Sequence, residues 1–420
     1  LSRWEFAAGL NACIEALDRR KVDKADFEKL QRLMEEFKAE LAALGARVDN
    51  LEGRTAFLED HQFSTTTKLN GEAIMALTQN FATQNSSRFA SNQKNQAIFG
   101  DRVRLALNSS FTGSDRLVTR LAAGNLEQFS SPIALGGGRF NAISATTTQT
   151  FNIAPNKNNG VGVDWLAYYR PIPLGENFKL DTYVAATGGQ WYDFVPTLNP
   201  YFQDYDGGNG ALSAFAQENP IYRIGGGAGI GTSFKLGFLD SILGASSLSI
   251  GYLGGTGGNA GNPTNGNGIF NGSFGALAQL NGNLFDIVNI GVTYVHGYTK
   301  AGDAIFGGSN GIANPNPVLA NAGFNTGVAG TFAANNPGYF NCNPLLSPVN
   351  CNRDAITNSI GTEVAVKITD WLSFSGFFTY GSAQLINGGS RQLWTYGGGF
   401  SFPDLGKEGS VLGIFGGVQP

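Results

Sequence analysis

From residue 62 to its end, this 420-residue chain alternates apolar with polar side chains at a period of two, yet it holds no stretch of about 20 apolar residues. Fourteen runs read as strands: Ser64–Leu77, Ile98–Ser110, Asp115–Ala123, 146–153, Val161–Ile172, Asn177–Thr187, 222–236, 245–254, 272–282, 285–298, 355–368, 370–384, 390–402 and 409–418. Many are about ten residues long, enough to cross a bilayer when tilted. Charge is scarce across them. The first 60 residues hold 23 of the 60 charges, and the other 360 share 37. A water-covered surface carries roughly 25–35% charged residues. No charge occurs between Asp240 and Asp286 or between Asp303 and Arg353, and both stretches are rich in Gly, Asn, Ser, Thr and Pro rather than in Leu, Ile and Val. A membrane chain of this kind has one solution, a closed β-barrel. The expected fold is an all-β transmembrane antiparallel barrel; a soluble solenoid or adhesin is the competing class, which the charge depletion opposes.

Strand-end aromatics fit a girdle at the lipid headgroups: Trp165, Tyr168, Tyr169, Tyr252, Tyr294, Trp371, Phe374, Phe377, Phe378, Tyr380, Trp394 and Tyr396. Long polar segments at 187–221, 254–271 and 300–354 contrast with short turns such as Asp240–Gly244. Arg102, Arg104, Arg116 and Arg120 fall on the polar side of two consecutive strands, with Lys68 and Arg139 as further members. In hydrocarbon near the mid-plane each would cost about 2–4 kcal/mol, so they are expected to face water. A basic wall opposite acidic side chains sets a transverse field that selects ions. Candidate acidic partners are Asp164, Asp181, Glu127, Asp193, Asp204 and Asp206. The plainer reading has the arginines pin an inward loop by ion pairs, and the two are compatible. Segment 187–221 carries Trp191, Tyr192, Phe194, Tyr201, Phe202 and Tyr205. It either enters the lumen as a constriction lined by Tyr201 and Tyr205 or packs onto the rim.

The first sixty residues obey a different period. With Phe27 at heptad position a, the a positions are Phe27, Met34, Leu41, Val48 and Thr55, and the d positions are Leu30, Phe37, Leu44, Leu51 and Leu58. Nine of these ten are apolar, which predicts an N-terminal α-helical coiled-coil stalk. Bulky residues at both positions allow a trimer without requiring one. Residues 1–20 form a further amphipathic helix with Ser2 and Glu5 as a capping box.

Catalytic chemistry finds little purchase. The two histidines, His61 and His296, lie in no metal or triad motif, so neither an enzyme nor a metal nor a cofactor is expected. Gly225-Gly226-Gly227 and Gly397-Gly398-Gly399 lack the Lys-Ser/Thr of a phosphate loop. A net charge of −4 without a basic patch speaks against nucleic acid. Cys342 and Cys351 enclose a polar loop where a disulfide would form in an oxidising compartment, and Cys13 reads as a small core residue.

Several motifs carry resemblances. Ser2-Arg3-Trp4-Glu5-Phe6-Ala7 is similar to the Thr-Arg-Ala-Glu-Phe-Ala signature of S-layer homology (SLH) domains, with Trp4 in place of a small residue. The match covers about 20 residues, and it implies that Arg3 meets an anionic wall glycan and that the chain begins inside the motif. Leu198-Asn199-Pro200-Tyr201, the run 207–215, Asn219-Pro220-Ile221-Tyr222-Arg223 and the run 402–409 resemble the carbohydrate-selective porin (OprB) family. Their order after the heptads and the run 62–71 resembles the cyanobacterial SLH porins over essentially all 420 residues. This implies about 16 strands, fourteen of them present here plus one hairpin. It divides the chain into the end of a wall-binding domain at 1–22, a trimeric coiled-coil stalk at 23–61 and an outer-membrane barrel at 62–420. The implied protein is a homotrimer in outer-membrane lipid with its stalk in the periplasm, bound to peptidoglycan or linked wall polysaccharide. It would pass small hydrophilic solutes, inorganic ions and sugars, and the segment's aromatics would serve as a sugar-stacking track. The alternative is a structural tether with a plugged barrel. Unlike most such barrels, the chain ends on Val418-Gln419-Pro420 rather than on an aromatic.

Overall fold

The computed structural model describes residues 9, 24–61, 67–81, 96–135, 138–143, 148–153, 158–174, 179–255, 260–309, 324–338 and 353–420. Arg3, Cys13, Cys342 and Cys351 lie outside the described residues. The chain divides into two units, 1–65 and 66–420.

In the first unit, helix α1 runs Lys24–His61, 38 residues and about 57 Å at 1.5 Å per residue. It has the length that the heptads predict. Phe27, Phe37, Leu44, Val48 and Leu51 of the a/d seam are all exposed in the single chain. No helix is long and apolar enough to cross a membrane among the described residues.

The second unit is a 13-stranded antiparallel sheet. Its strands are β1 (Thr67–Thr78), β2 (Ile98–Ser109), β3 (Arg116–Gly124), β6 (Gly162–Pro173), β7 (Lys179–Gly189), β8 (Gly227–Lys235), β9 (Ser247–Gly254), β10 (Phe274–Leu284), β11 (Val288–Thr299), β12 (Ala355–Thr369), β13 (Leu372–Leu385), β14 (Ser390–Pro403) and β15 (Val411–Val418), each hydrogen-bonded to the next in that order. A separate hairpin, β4 (Ser130–Leu135) with β5 (Gly138–Ile143), interrupts the sequence. No pairing of β15 with β1 is seen among the described residues. Every connection at one end of the sheet is short, while the 190–226, 255–273 and 300–354 connections lie at the other.

Thirteen of the fourteen expected runs are strands of this sheet. The exception is 146–153. Its described part forms a bridge from Gln149 to Ser213 and a 3₁₀ turn, Thr150–Asn152. Its backbone pairs with an inward segment rather than a strand: Thr150 N donates to Leu212 O at 2.9 Å, and Arg102 Nη1 donates to Thr150 O at 2.6 Å.

The two faces of the sheet are inverted relative to a water-soluble protein. On β11–β14 the outward rows carry Val292, Tyr294, Ile360, Phe378, Tyr380, Trp394, Tyr396 and Phe400, all exposed. The opposite face carries Thr293, Thr357, Ser359, Ser375, Thr379, Thr395 and Ser401, all buried. Large apolar side chains outside and small hydroxylated ones inside is the pattern a bilayer selects. From Trp394 to Phe402, β14 runs roughly 27 Å, and a tilt of about 40° makes that a band of about 21 Å, close to the apolar height of outer-membrane strands. Tyr294, Tyr380 and Trp394 mark one border of this band, and Trp371 stacked on Phe402 marks the other. Three expected girdle residues lie elsewhere. Tyr169 and Trp165 bond to the inward segment or to its partner Tyr183, and Phe377 packs edge-on against Phe215. The aromatics of the segment draw these rings inward.

Candidate functional site

The long connection after β7, residues 190–226, turns into the concavity of the sheet. Trp191, Ile221, Tyr222 and Ile224 have no exposed surface. Gly208 N donates to Glu72 of β1, while Phe202 and Phe215 pack on Phe415 of β15, so the two ends of the sheet meet one segment. Glycines in the wall make room for its rings. A Cβ at Gly399 would come 2.8 Å from Phe202, and one at Gly231 would clash with Phe194. A second segment, around 304–309 and 324–336, packs on the first: Gly308 N donates to Arg223 O at 2.8 Å, and Gln190 Nε2 donates to Ser309 Oγ at 2.6 Å.

The arginines of β2 and β3 stand on the opposite wall. Arg102 is fully buried and pairs with Glu72 at 2.7 Å. Asp164 lies where β6 slips register against β3 between Arg120 and Leu121, and the bulge aims it inward. There it meets Arg120 at 2.8 Å and Arg104 at 3.7 Å. Arg104 Nη1 also donates to Asp206 O at 3.0 Å, joining wall to segment. Arg116 is exposed, and its guanidinium lies 4.2 Å from the centre of the Tyr169 ring. Arg120 lies likewise over Trp165 at 5.2 Å.

Within the segment, Arg223 sits between two carboxylates, 2.6 Å from Asp206 Oδ1 and 2.5 Å from Glu218 Oε1. The Tyr192 hydroxyl donates to Asp206 Oδ2 at 2.9 Å. Burial works to raise Asp206, but the Arg223 guanidinium outweighs it and holds this carboxyl below its ordinary range. Burial pushes Glu218 up, opposed by Arg223. Burial also pushes Asp193 up to about 7, although the Tyr183 hydroxyl and the Gln190 N–H both donate to it.

The structure thus brings Arg102, Arg104, Arg120, Asp164 and Arg116 together on one inner wall. Asp181 is not among them; it pairs with its strand neighbour Lys179 at 3.0 Å, both half-exposed. Lys68 is exposed at the start of β1, on the face of Glu72 but outside the cluster. Tyr205 is 56% exposed and lies T-shaped to Tyr192, ring centres 5.7 Å apart, and Tyr201 is half-buried. Sequence reasoning did not single out Glu72, Glu218, Arg223 or Glu363 as site residues. Glu72 and Glu363 are lone acids at inward parity in alternating strands, a signal that was present; Arg223 and Glu218 sit in a loop where no period points inward.

A curved antiparallel sheet with a lipid-type exterior and a charged, loop-lined inner wall defines an outer-membrane porin, a channel fold rather than an enzyme fold. The model of the carbohydrate-selective porin, OprB family matches residues 24–420. Uncharacterized protein alr4550 of Nostoc sp. is 43% identical over 432 residues, spanning 100% of this chain and 68% of that protein. Uncharacterized protein sll0772 of Synechocystis sp. is 35% identical over 444 residues, spanning 100% and 70%. The chain belongs to the OprB porin family. Among solved structures, a porin refined at 1.8 Å aligns at 11% identity with a TM-score of 0.33, covering 84% of this chain and 95% of that one. The outer membrane channel DcaP of Acinetobacter baumannii aligns at 10% with a TM-score of 0.31, covering 84% and 91%. Likeness at that level adds nothing to the family assignment.

Proposed function

We propose that the chain is a passive porin through which small hydrophilic solutes pass between the arginine wall of β2–β3 and the inward segment. The observation that carries this reading is the exposed stretch of that wall at Arg116, beyond the buried Arg102 and Arg104. Against β9–β14 the segment buries Ser249, Thr293, Thr357, Thr379 and Thr395 almost completely, whereas Arg116 and Tyr205 stay exposed. Arg116 has no ion pair among the described residues, while Arg102, Arg104 and Arg120 each have one and Arg223 has two. An exposed cation without a carboxylate partner among the described residues favours anions beside the path, and its aromatic neighbours offer faces to sugars, the cargo named by the family description. The heptad seam of α1 assembles three copies as a periplasmic stalk, and the region before it, with Arg3, binds peptidoglycan-linked polysaccharide.

Planar-bilayer recording of the purified full chain tests the channel: stable conductance with anion-favouring reversal potentials supports it, and silence at every voltage defeats it. The second segment, which buries Ile305 and Phe306 against the first, favours the rival reading of a plugged tether, and the same silence would support that. Deleting residues 1–60 is expected to abolish binding to isolated sacculi while leaving conductance intact; retained binding would remove the tether role.

A further inference from the structure

The return leg of the inward segment meets β10–β12 through a hydroxyl with more acceptors than protons. Gln279 Nε2 donates to Pro196 O at 2.6 Å, which fixes Gln279 Oε1 as an acceptor. The Thr293 hydroxyl donates to that Oε1 at 2.8 Å. The Tyr222 oxygen lies 2.6 Å from the same Oε1 and 2.7 Å from Glu363 Oε2. Each contact needs its own proton. Tyr222 supplies one, and Gln279 Oε1 has none to give. Flipping the Gln279 amide would set its oxygen against Pro196 O with no proton between. Glu363 is the group that can carry the remaining proton, donating to Tyr222 while Tyr222 donates to Gln279.

The surroundings of Glu363 agree. It is 3% exposed and forms no ion pair among the described residues, and its Oε1 makes no well-formed hydrogen bond, the Asn219 amide being its one polar neighbour in reach besides Tyr222. An ionised carboxylate in that position would be costly, and a neutral one is not. From the segment it faces Tyr222 and Glu218, the latter held by Arg223, which also holds Asp206; the Asn219 side chain lies beside it. Its register partners on β11 and β13 are the uncharged Gly291 and Phe377, and the Thr379 hydroxyl of β13 donates to Asn219 Oδ1 at 2.7 Å.

We propose that protonated Glu363 is a positioning residue that clasps Asn219–Arg223 to β10–β12, and that its ionisation undocks this leg of the segment. This rests on the inward segment being the constriction of the porin proposed above. Losing the proton removes one hydrogen bond and leaves a buried charge, so the docked fraction falls as pH rises.

Amide hydrogen exchange of the full chain in detergent, corrected for intrinsic rates, reads the opening of the Tyr222 and Ile224 amides at about pH 6 and about pH 9. Asp193 and Glu218 titrate in this window, so the quantity compared is the rise in opening of the wild type over that of Glu363→Gln. The glutamine amide donates to Tyr222 at every pH. The wild-type rise is expected to exceed that of E363Q by about tenfold or more, the worth of one such bond, with E363Q matching the wild type at low pH. Glu363→Ala is expected to be open at both pH values. Equal rises in wild type and E363Q, or an E363A leg as protected as the wild type at low pH, would overturn the clasp. Bilayer recording is kept separate: a silent channel would count against the porin reading, while exchange decides the clasp.

Discussion

Replacing Arg223 with Met removes one cation from between two buried carboxylates. Arg223 is 1% exposed, and its contacts with Asp206 at 2.6 Å and Glu218 at 2.5 Å are the shortest charge contacts in the inward segment. At an effective dielectric of about 20, each such pair gains about 6 kcal/mol of Coulomb energy. Desolvation offsets most of that, and removing one partner of a buried pair costs about 3–5 kcal/mol net. Methionine keeps most of the volume, so the loss is electrostatic. The cost falls on docking, because every partner of Arg223 lies on the segment or, through Gly308, on the segment packed over it. Opening of the 213–224 amides should rise roughly 150- to 5000-fold in hydrogen exchange, while strand amides of β12–β14 remain protected. The triple variant R223M/D206N/E218Q leaves no orphaned charge and should recover most of the protection. If R223M changed exchange by less than about threefold, or if the triple variant were no better, ion pairing would not be what holds the segment.

Other outcomes follow from the same geometry. Asp164→Asn frees Arg104 and Arg120 together, so anion selectivity should rise in reversal-potential measurements while the wall loses about 3–5 kcal/mol. Asp193 keeps its proton to about 7 when docked, against an ordinary 3.8, so the docked state binds more protons between those values. Its contribution is complete below about pH 4 and is lost as pH rises through about 7. Asp193→Asn should flatten that slope in exchange measured on the Gln190–Phe194 amides. Gly231→Ala sets a Cβ against the Phe194 ring alone and should loosen segment 190–196 without unfolding β8. Leu44→Lys with Leu51→Lys puts charges on the a/d seam of α1 and should reduce a trimer to monomers by mass in detergent.

The sheet was legible because its rule is local: a period of two with charge excluded from one side. Thirteen strands obey it and could be read residue by residue. The run 146–153 obeys the same rule and fails, since alternation says nothing about which backbone a segment pairs with. The arginine wall was legible for the same reason as the strands, because parity placed Arg102, Arg104, Arg116 and Arg120 on one face. Asp164 joined them only through a bulge, which shifts parity by one and leaves no trace in the pattern. The destination of the inward segment was open, since a loop has no period. Its contacts come from glycine windows such as Gly231 and Gly399, which the alternation does not set apart from the other glycines.

The most direct test of the channel is the reversal potential of single channels in a salt gradient, for the wild type and for Arg116→Gln. The exposed guanidinium, without an ion pair among the described residues, predicts anion selectivity that falls toward neutrality in R116Q with little loss of conductance. Unchanged selectivity would contradict it, and so would a wild type that prefers cations.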